Sequence, residues 1–492
     1  MRRSKSIFLV LLLLIVFYDA NLIFSKNIKN NSKYLEGEFW SQQALKEIIP
    51  FWNHTLDDKN GGYFTDVDRK GVINPNGSKY PRMVSRLIYG FCTAYLLSGD
   101  NQYLQLAKHG LDYMKKYGWD QEYGGWYGEL NVNNIPSAGK KNLFDQSYGN
   151  LGPIFYYYVT GDTEALALVE KTHRLMKDKA WDKEFKGYYE EVNRDWSVSQ
   201  TEKSFNAEID TATAYLIYEY LATKKPDLLK DLKDIADVAM EHMYDQKTGY
   251  FRERFSRKWN YITNYLGPDQ IDIGHNLKTV WVMFRIYDLT GEAKYYAFAK
   301  SLATKLLATG WDNQYSGWFF CKNVNTPAST YYEKSKCWWT QTEGNFMLLN
   351  LYHITRDKSH LEIYQKNAGF WDTYFVDHQY KEVYSYTFQD GTKNDTSKGN
   401  LYKSAYHSME NALMNYLYLQ LYVHKKTAEL NFSLSAASEG TKHYLKIVEN
   451  PAVMIQKAEI NGAPWQQFNA EEGYIILPKG NNMKVKVVLG VK

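Results

Sequence analysis

The chain is poor in cysteine, with three in 492 residues: Cys92, Cys321 and Cys337. An odd number without metal-ligand spacing excludes a disulfide framework and a thiolate metal site, and all three are read as free thiols. It also lacks a charge excess, since Lys+Arg 59 against Asp+Glu 55 leaves a net charge of +4. That balance excludes the concentrated basic face with which a nucleic-acid binder displaces counterions. Beyond the first residues there is no apolar run long enough to span a bilayer, so the mature chain is expected to have no membrane span. Hydrophobic residues at 44% and charged residues at 23% exclude a disordered chain, a collagen-like fibre and a polytopic membrane protein. Aromatic residues are abundant at 16%, with 43 Tyr and 14 Trp. Such flat, amphipathic rings fill cores and stack on sugar faces.

Arg2, Arg3 and Lys5 precede an aliphatic and aromatic run from Ile7 to Tyr18, followed by small and polar residues near Ser25. These are the three parts of a secretory signal peptide over residues 1–25, and the chain is expected to be exported, periplasmic or secreted. The run falls short of the roughly 20 residues a spanning helix needs, which leaves an uncleaved N-terminal anchor as the lesser alternative.

An internal repeat organises most of the remaining chain. An acid, a short polar stretch, a glycine and an aromatic pair recur at Asp57–Phe64, Asp120–Tyr127, Asp182–Tyr189, Asp245–Phe251 and Asp312–Phe319, with a degenerate sixth copy at Asp377–Tyr384 carrying Glu382 in place of the glycine. Each phrase reads as a tight hairpin. Between copies the apolar period is that of two helices, for example Arg86–Ser98 and Tyr103–Tyr117, separated by turns such as Ser98–Asn101, Thr160–Asp162 and Thr290–Glu292. Six helical hairpins over residues 33–425 predict an all-α (α/α)6 barrel, favoured over an open solenoid because a closed ring needs no capping repeats. From residue 426 to 492 the period changes to two. Strands are expected at Ala428–Leu434, His443–Val448, Val453–Ile460, Gly473–Leu477 and Met483–Leu489, with breaks at Asn461–Pro464 and Lys479–Asn482, forming a small all-β domain (a β-sandwich or sheet) that supports the barrel.

Counting 27 to 30 residues on from each hairpin acid reaches Arg86, Tyr148, Asp210, His275, Trp339 and His407, each of which is expected to open an apolar helix and to meet the others at one level of the ring. Two imidazoles on opposite walls can take and return a proton at neutral pH, and a cation such as Arg86 steadies the enolate that forms beside a carbonyl. This chemistry calls for no cofactor and no bound metal.

The motifs Ser85-Arg86, Gly274-His275-Asn276, Trp338-Trp339-Thr340-Gln341-Thr342-Glu343 and Tyr406-His407, in this order and spacing, resemble those of the N-acylglucosamine 2-epimerase superfamily over Trp40 to Tyr422. The resemblance implies catalytic roles for His275 and His407, an essential arginine at Arg86 and substrate contacts at Trp339 and Glu343. It implies epimerisation or aldose–ketose isomerisation at C2 of a reducing mono- or oligosaccharide. Three positions depart from the resembled pattern: Asp210 stands for a histidine, Lys278 for a glutamate and Glu410 for an arginine.

Tyr148, Asp210, Gln146 and Glu410 complete the expected substrate-binding set, with Lys141 a weaker candidate. The bland readings are structural histidines at helix starts, Asp210 as an N-cap and Arg86 in an ion pair with Glu343 or Glu410. Trp339 is read as facing inward and Trp338 outward. Two alternatives compete: a glycoside hydrolase using Asp210 with Glu343 or Glu410, and a non-catalytic glycan-binding protein.

Overall fold

The computed structural model describes residues 32–492 except 138, 264, 265, 268 and 324–333, so the signal-peptide reading of residues 1–25 lies outside the described residues. In chain order the helices are α1 (Gly37–Gln43), α2 (Pro81–Ser98), α3 (Asn101–Tyr113), α4 (Leu143–Thr160), α5 (Thr163–Leu175), α6 (Phe205–Thr211), α7 (Ile217–Thr223), α8 (Pro226–Val238), α9 (Ile273–Thr290), α10 (Ala293–Thr309), α11 (Trp338–Thr355), α12 (Ser359–Phe370) and α13 (Tyr406–Tyr418). A helical turn over Ala212–Leu216 joins α6 to α7. Helix α2 packs on α4, α9 on α11 and α11 on α13, and α13 returns to α1 and α2, which closes a helical barrel. The inner helices are buried on all sides, as α2 is from Pro81 to Leu96. The outer helices bury a single stripe, such as Tyr103, Ala107, Gly110 and Leu111 of α3.

One ionic motif fastens every hairpin to the ring. The hairpin acid accepts hydrogen bonds from the backbone N–H groups two and three residues on, as Asp120 does from Glu122 (3.1 Å) and Tyr123 (3.2 Å). Its other oxygen takes a buried lysine from the segment that leads into the next inner helix: Lys79–Asp57 at 2.6 Å, Lys141–Asp120 at 3.1 Å, Lys203–Asp182 at 3.3 Å, Lys336–Asp312 at 2.8 Å and Lys398–Asp377 at 3.3 Å. In the fourth repeat Arg252 takes that place on Asp245, at 2.9 Å. Arg194 and Arg257, each twelve residues past the acid of its own hairpin, reach back to the acid of the preceding one, Asp120 and Asp182. Arg69 does the same across the seam, bonding Asp377 at 2.8 Å, beside a backbone bridge between Val67 and Gly399. Lys141, a weak candidate for the site, is therefore part of this scaffold.

The inner helices begin earlier than the hairpin count predicts. Arg86, Tyr148 and Asp210 are each the sixth residue of their helix, His275 the third, and Trp339 and His407 the second. The expected single level is thus corrected to two, because the connections from hairpin to helix differ in length and the count slips with them.

The C-terminal strands are β1 (Ala428–Ala436), β2 (Thr441–Tyr444), β3 (Val453–Ile460), β4 (Ala463–Trp465), β5 (Phe468–Asn469), β6 (Tyr474–Leu477) and β7 (Gly480–Val491). They form two antiparallel sheets in the orders β1-β7-β3-β4 and β2-β6-β5. The break expected at Asn461–Pro464 shrinks to Asn461 and Gly462, whose φ angles of 52° and 81° suit a two-residue hairpin turn, and Pro464 lies on the edge strand. Strand β2 ends at Tyr444 rather than Val448, and β7 begins at Gly480, within the second expected break, where the ladder bulges between Leu434 and Ala436. These strands pack on the helix ends remote from the hairpins. Tyr95 donates to the Phe432 carbonyl (3.3 Å), His443 bonds the Tyr158 carbonyl (2.8 Å), and buried Arg285 pairs with Glu449 (2.7 Å).

Asp120→Ala leaves buried Lys141 without its counter-ion, and losing one partner of such a pair typically costs about 3–5 kcal/mol. A fall in the urea midpoint at unchanged slope checks this; an unchanged midpoint contradicts it.

Candidate active site

The first turns of the inner helices are held by a second repeated bond. Gln146 takes the Trp126 N–H on Oε1 (2.7 Å) and gives its amide N–H to the Trp126 carbonyl (2.8 Å), and Gln341 treats Trp318 in the same way at 2.7 and 2.8 Å. Asn276 accepts from Phe251 (2.9 Å), and Glu208 accepts from Tyr188. The hairpin glycine makes room for this clamp: a Cβ on Gly125, Gly187 or Gly317 would stand 2.7, 2.7 or 3.0 Å from the clamp oxygen, and all three have φ between 76° and 83°. In the sixth repeat the arrangement is reversed. Glu382 occupies the glycine position at φ 56°, and its buried carboxylate accepts from Ser408 (2.9 Å), Trp52 (2.8 Å) and Lys403 (3.0 Å). Gln146, expected to touch the sugar, is corrected by this geometry: both ends of its amide are committed to the backbone.

The clamps fix which residues face the cavity. One position before Asn276 and Ser408 stand His275 and His407, and two positions after Gln146, Glu208, Asn276, Gln341 and Ser408 stand Tyr148, Asp210, Lys278, Glu343 and Glu410. The histidines form the upper layer and the other five a floor one turn deeper. Trp339 joins the two imidazoles, with its ring 5.2 Å from that of His275 and 6.0 Å from that of His407. Gly274 permits this approach, since a Cβ there would lie 2.3 Å from the indole. Trp339 is half-buried, whereas Trp338 is buried with its ring 6.3 Å from that of His407.

The two imidazoles differ in environment. His275 stacks on Phe205 at 4.2 Å and bonds Glu253 through Nδ1 at 2.9 Å. Burial alone would push it down, but the Glu253 and Asp272 carboxylates outweigh burial and raise it to about 9. His407 is 6% exposed, with Nδ1 3.5 Å from Glu410 and 3.9 Å from Glu343. Burial, together with Lys278, Arg86 and Lys403, holds it well below the ordinary imidazole value near 6.5. Near pH 7 His275 is a cation and His407 is neutral.

On the floor Lys278 pairs with Asp210 at 2.8 Å, and the Tyr148 hydroxyl donates to Asp210 at 3.2 Å. Two of the three departures from the resembled pattern are thus bonded to each other, and Asp210 is a paired carboxylate rather than an N-cap. Arg86 lies over the Tyr148 ring at 3.9 Å and donates to the Tyr402 carbonyl at 2.7 Å; it enters no ion pair with Glu343 or Glu410. Burial raises the Glu343 carboxyl, and it raises Glu410 to about 7, even though Tyr406 donates to Glu410 at 2.9 Å. Beside the mouth, Arg82 and Asp145 pair at 2.6 Å and, with Tyr80 and Tyr127, line a cleft of about 310 Å³.

The sequence reading missed Glu253 and Phe205. A signal for Glu253 was present: an acid recurs four residues after the hairpin glycine at Asp66, Glu129, Glu191 and Glu253. Phe205 carried no such signal, because its contact with His275 joins two separate helices.

The family model described as N-acylglucosamine 2-epimerase (GlcNAc 2-epimerase) matches residues 62–411. The chain is 24% identical to a cellobiose 2-epimerase of Bacteroides fragilis over 75% of this chain and 97% of that protein. It is 22% identical to a D-mannose isomerase of Marinomonas mediterranea over 74% of this chain and 93% of that protein. Its fold matches the solved cellobiose 2-epimerase of Bacillus thermoamylovorans with a TM-score of 0.71 at 22% identity, over 77% of this chain and 98% of that one. The strands beyond residue 427 lie outside the family match.

A double-mutant cycle tests the floor. Lys278→Met strands a buried Asp210 carboxylate and is expected to destabilise by about 3–5 kcal/mol, while Lys278→Met with Asp210→Asn recovers much of that loss. Additive effects in thermal or urea unfolding would contradict the pairing.

Proposed function

Because the chain belongs to the N-acylglucosamine 2-epimerase family, enzymes of the sugar epimerase and isomerase class, we propose that it acts at C2 of a reducing sugar by proton transfer between His407 and His275 through an enediolate. The observation that supports this best is that two imidazoles flank one indole in unlike surroundings, His275 bonded to Glu253 at 2.9 Å and His407 buried without a hydrogen-bond partner on Nδ1. A general base and a general acid are distinguished by environments that push their pKa values apart, and here one is charged and one neutral at the same pH. With the sugar opened to its aldehyde, neutral His407 takes the C2 proton. The electron pair moves into the C1 carbonyl, and the enediolate oxygen meets the positive field of Arg86 and the His275 imidazolium. His275 then returns a proton, to the opposite face of C2 in epimerisation or to C1 in aldose–ketose isomerisation, and Glu253 holds it charged for that step. Trp339 offers the face on which the sugar lies. The scaffold reading is that of an (α/α)6 barrel with a small supporting β domain.

The hydrolase alternative has less support. Asp210, the carboxylate common to both proposed pairs, is committed to Lys278 at 2.8 Å and to the Tyr148 hydroxyl at 3.2 Å, and Glu343 and Glu410 both lie against one imidazole. A glycan-binding protein without turnover would not need an imidazolium beside a neutral imidazole. The basic residues Arg2, Arg3 and Lys5 before the apolar Ile7–Tyr18 run support export of the chain. No helix among the described residues is long and apolar enough to cross a membrane.

Incubation of candidate aldoses in D2O is expected to place deuterium at C2 of an epimer or at C1 of a ketose, with loss in His407→Ala and His275→Ala. The rate should fall on the acid side as His407 gains a proton, well below pH 6.5, and on the alkaline side as His275 loses one near pH 9. Glu253→Gln should move the alkaline limb down while leaving the acid limb in place. No incorporation with any reducing sugar, or an unmoved alkaline limb, would overturn the reading.

A further inference from the structure

Glu343, His407 and Glu410 carry a feature that proton transfer does not use. One ligand atom from each lies within 4.8 Å of the other two, and all three side chains are buried. Each also has a buried atom with no hydrogen-bond partner: Glu343 Oε2, His407 Nδ1 and Glu410 Oε2. A buried polar atom without a partner is costly, and two of these, His407 Nδ1 and Glu410 Oε2, stand 3.5 Å apart with the Glu343 carboxylate 3.9 Å from the same nitrogen, which calls for something that binds them together. The Tyr406 and Tyr218 hydroxyls approach the other Glu410 oxygen, at 2.9 and 3.5 Å, and so aim Oε2 at the gap. The second group of this composition, Glu47, Asp372 and His378, differs. It is partly exposed, and its atoms are taken up by Lys33 (2.8 Å), Tyr34 (2.9 Å), Gln43 (3.0 Å), the Glu47–His378 bond (3.0 Å) and the Asp372 carbonyl (2.8 Å).

We propose that Glu343, His407 and Glu410 form a divalent-cation site of the zinc class, and that an ion bound there switches off His407 as a base. Two carboxylates and an imidazole are donors that zinc accepts at about 2.0–2.2 Å, and a tetrahedron of those legs has edges of about 3.4 Å. The His407 Nδ1 distances of 3.5 Å to Glu410 and 3.9 Å to Glu343 need only a small contraction to match. Ligation through Nδ1 occupies that lone pair and leaves the ring proton on Nε2, the nitrogen that must be bare to accept a proton from C2. The ion and the substrate proton therefore compete for one imidazole. The blocking role rests on the function proposed above; the site itself does not.

The full chain, stripped with chelator, is titrated with Zn2+ by calorimetry, and deuterium uptake into the sugar, at C2 of an epimer or C1 of a ketose, is followed in the same samples. One ion should bind, at least tenfold more weakly in Glu410→Gln and in His407→Ala and unchanged in His378→Ala, and zinc should suppress deuterium uptake in a way that EDTA reverses. Variants are compared by circular dichroism and melting without metal. Should one fail to fold, broadening of the His407 resonances by Co2+ in the unaltered chain replaces it. Zinc binding that survives both substitutions, no binding at millimolar zinc, or Co2+ that leaves His407 unbroadened overturns the site. Zinc that binds there and accelerates uptake overturns the blocking role. Zinc binding as expected, with no uptake from any sugar in the stripped chain, leaves the site standing and removes the proposed function.

Discussion

A buried lysine closing on the first acid of each hairpin is the constraint on which the rest of this molecule depends. Five of the six hairpins use it and the fourth substitutes Arg252. Because the lysine sits just before an inner helix, the pair fixes where that helix enters the ring. The arginines that reach back one repeat tie the third hairpin to the second and the fourth to the third, and Arg69 ties the first to the sixth across the seam. The clamp of Gln146, Glu208, Asn276 and Gln341 then sets the rotation of each helix, and with it which side chains see the cavity.

From that rotation the electrostatics follow. His275 and His407 occupy matching positions in two repeats, yet Glu253 lies against one, while Lys278, Arg86 and Lys403 bear on the other. A symmetric scaffold thereby holds an asymmetric pair. The floor obeys the same logic: Asp210 and Lys278, both unusual against the family pattern, satisfy each other, so the altered residues conserve local neutrality. Glu410 has no such cation and instead enlarges the acidic surroundings of His407.

Much of this was legible in the residues. The hairpin phrase gave the number of repeats, the apolar period gave the helices, and the period of two gave the C-terminal strands. Histidines at equivalent positions, with Trp339 between them in the ring, pointed to the site. What stayed hidden was anything set by contact between segments distant in the chain. The polar amide of Gln146 looked like a sugar ligand because nothing local reveals that Trp126 uses both of its ends. The common level expected for six residues failed because loop lengths, unlike helix phase, leave no periodic trace. The partnership of Lys278 with Asp210 joins residues 68 apart in the chain, which no motif spacing records.

The proposed proton transfer turns on the charge states of two rings, and nitrogen-15 NMR of labelled histidine reads these directly at pH 7. It should show His275 with both ring nitrogens protonated and titrating near pH 9, and His407 neutral down to well below pH 6.5. Two imidazoles titrating together near 6.5, or a neutral His275 at pH 7, would contradict the assignment of acid and base.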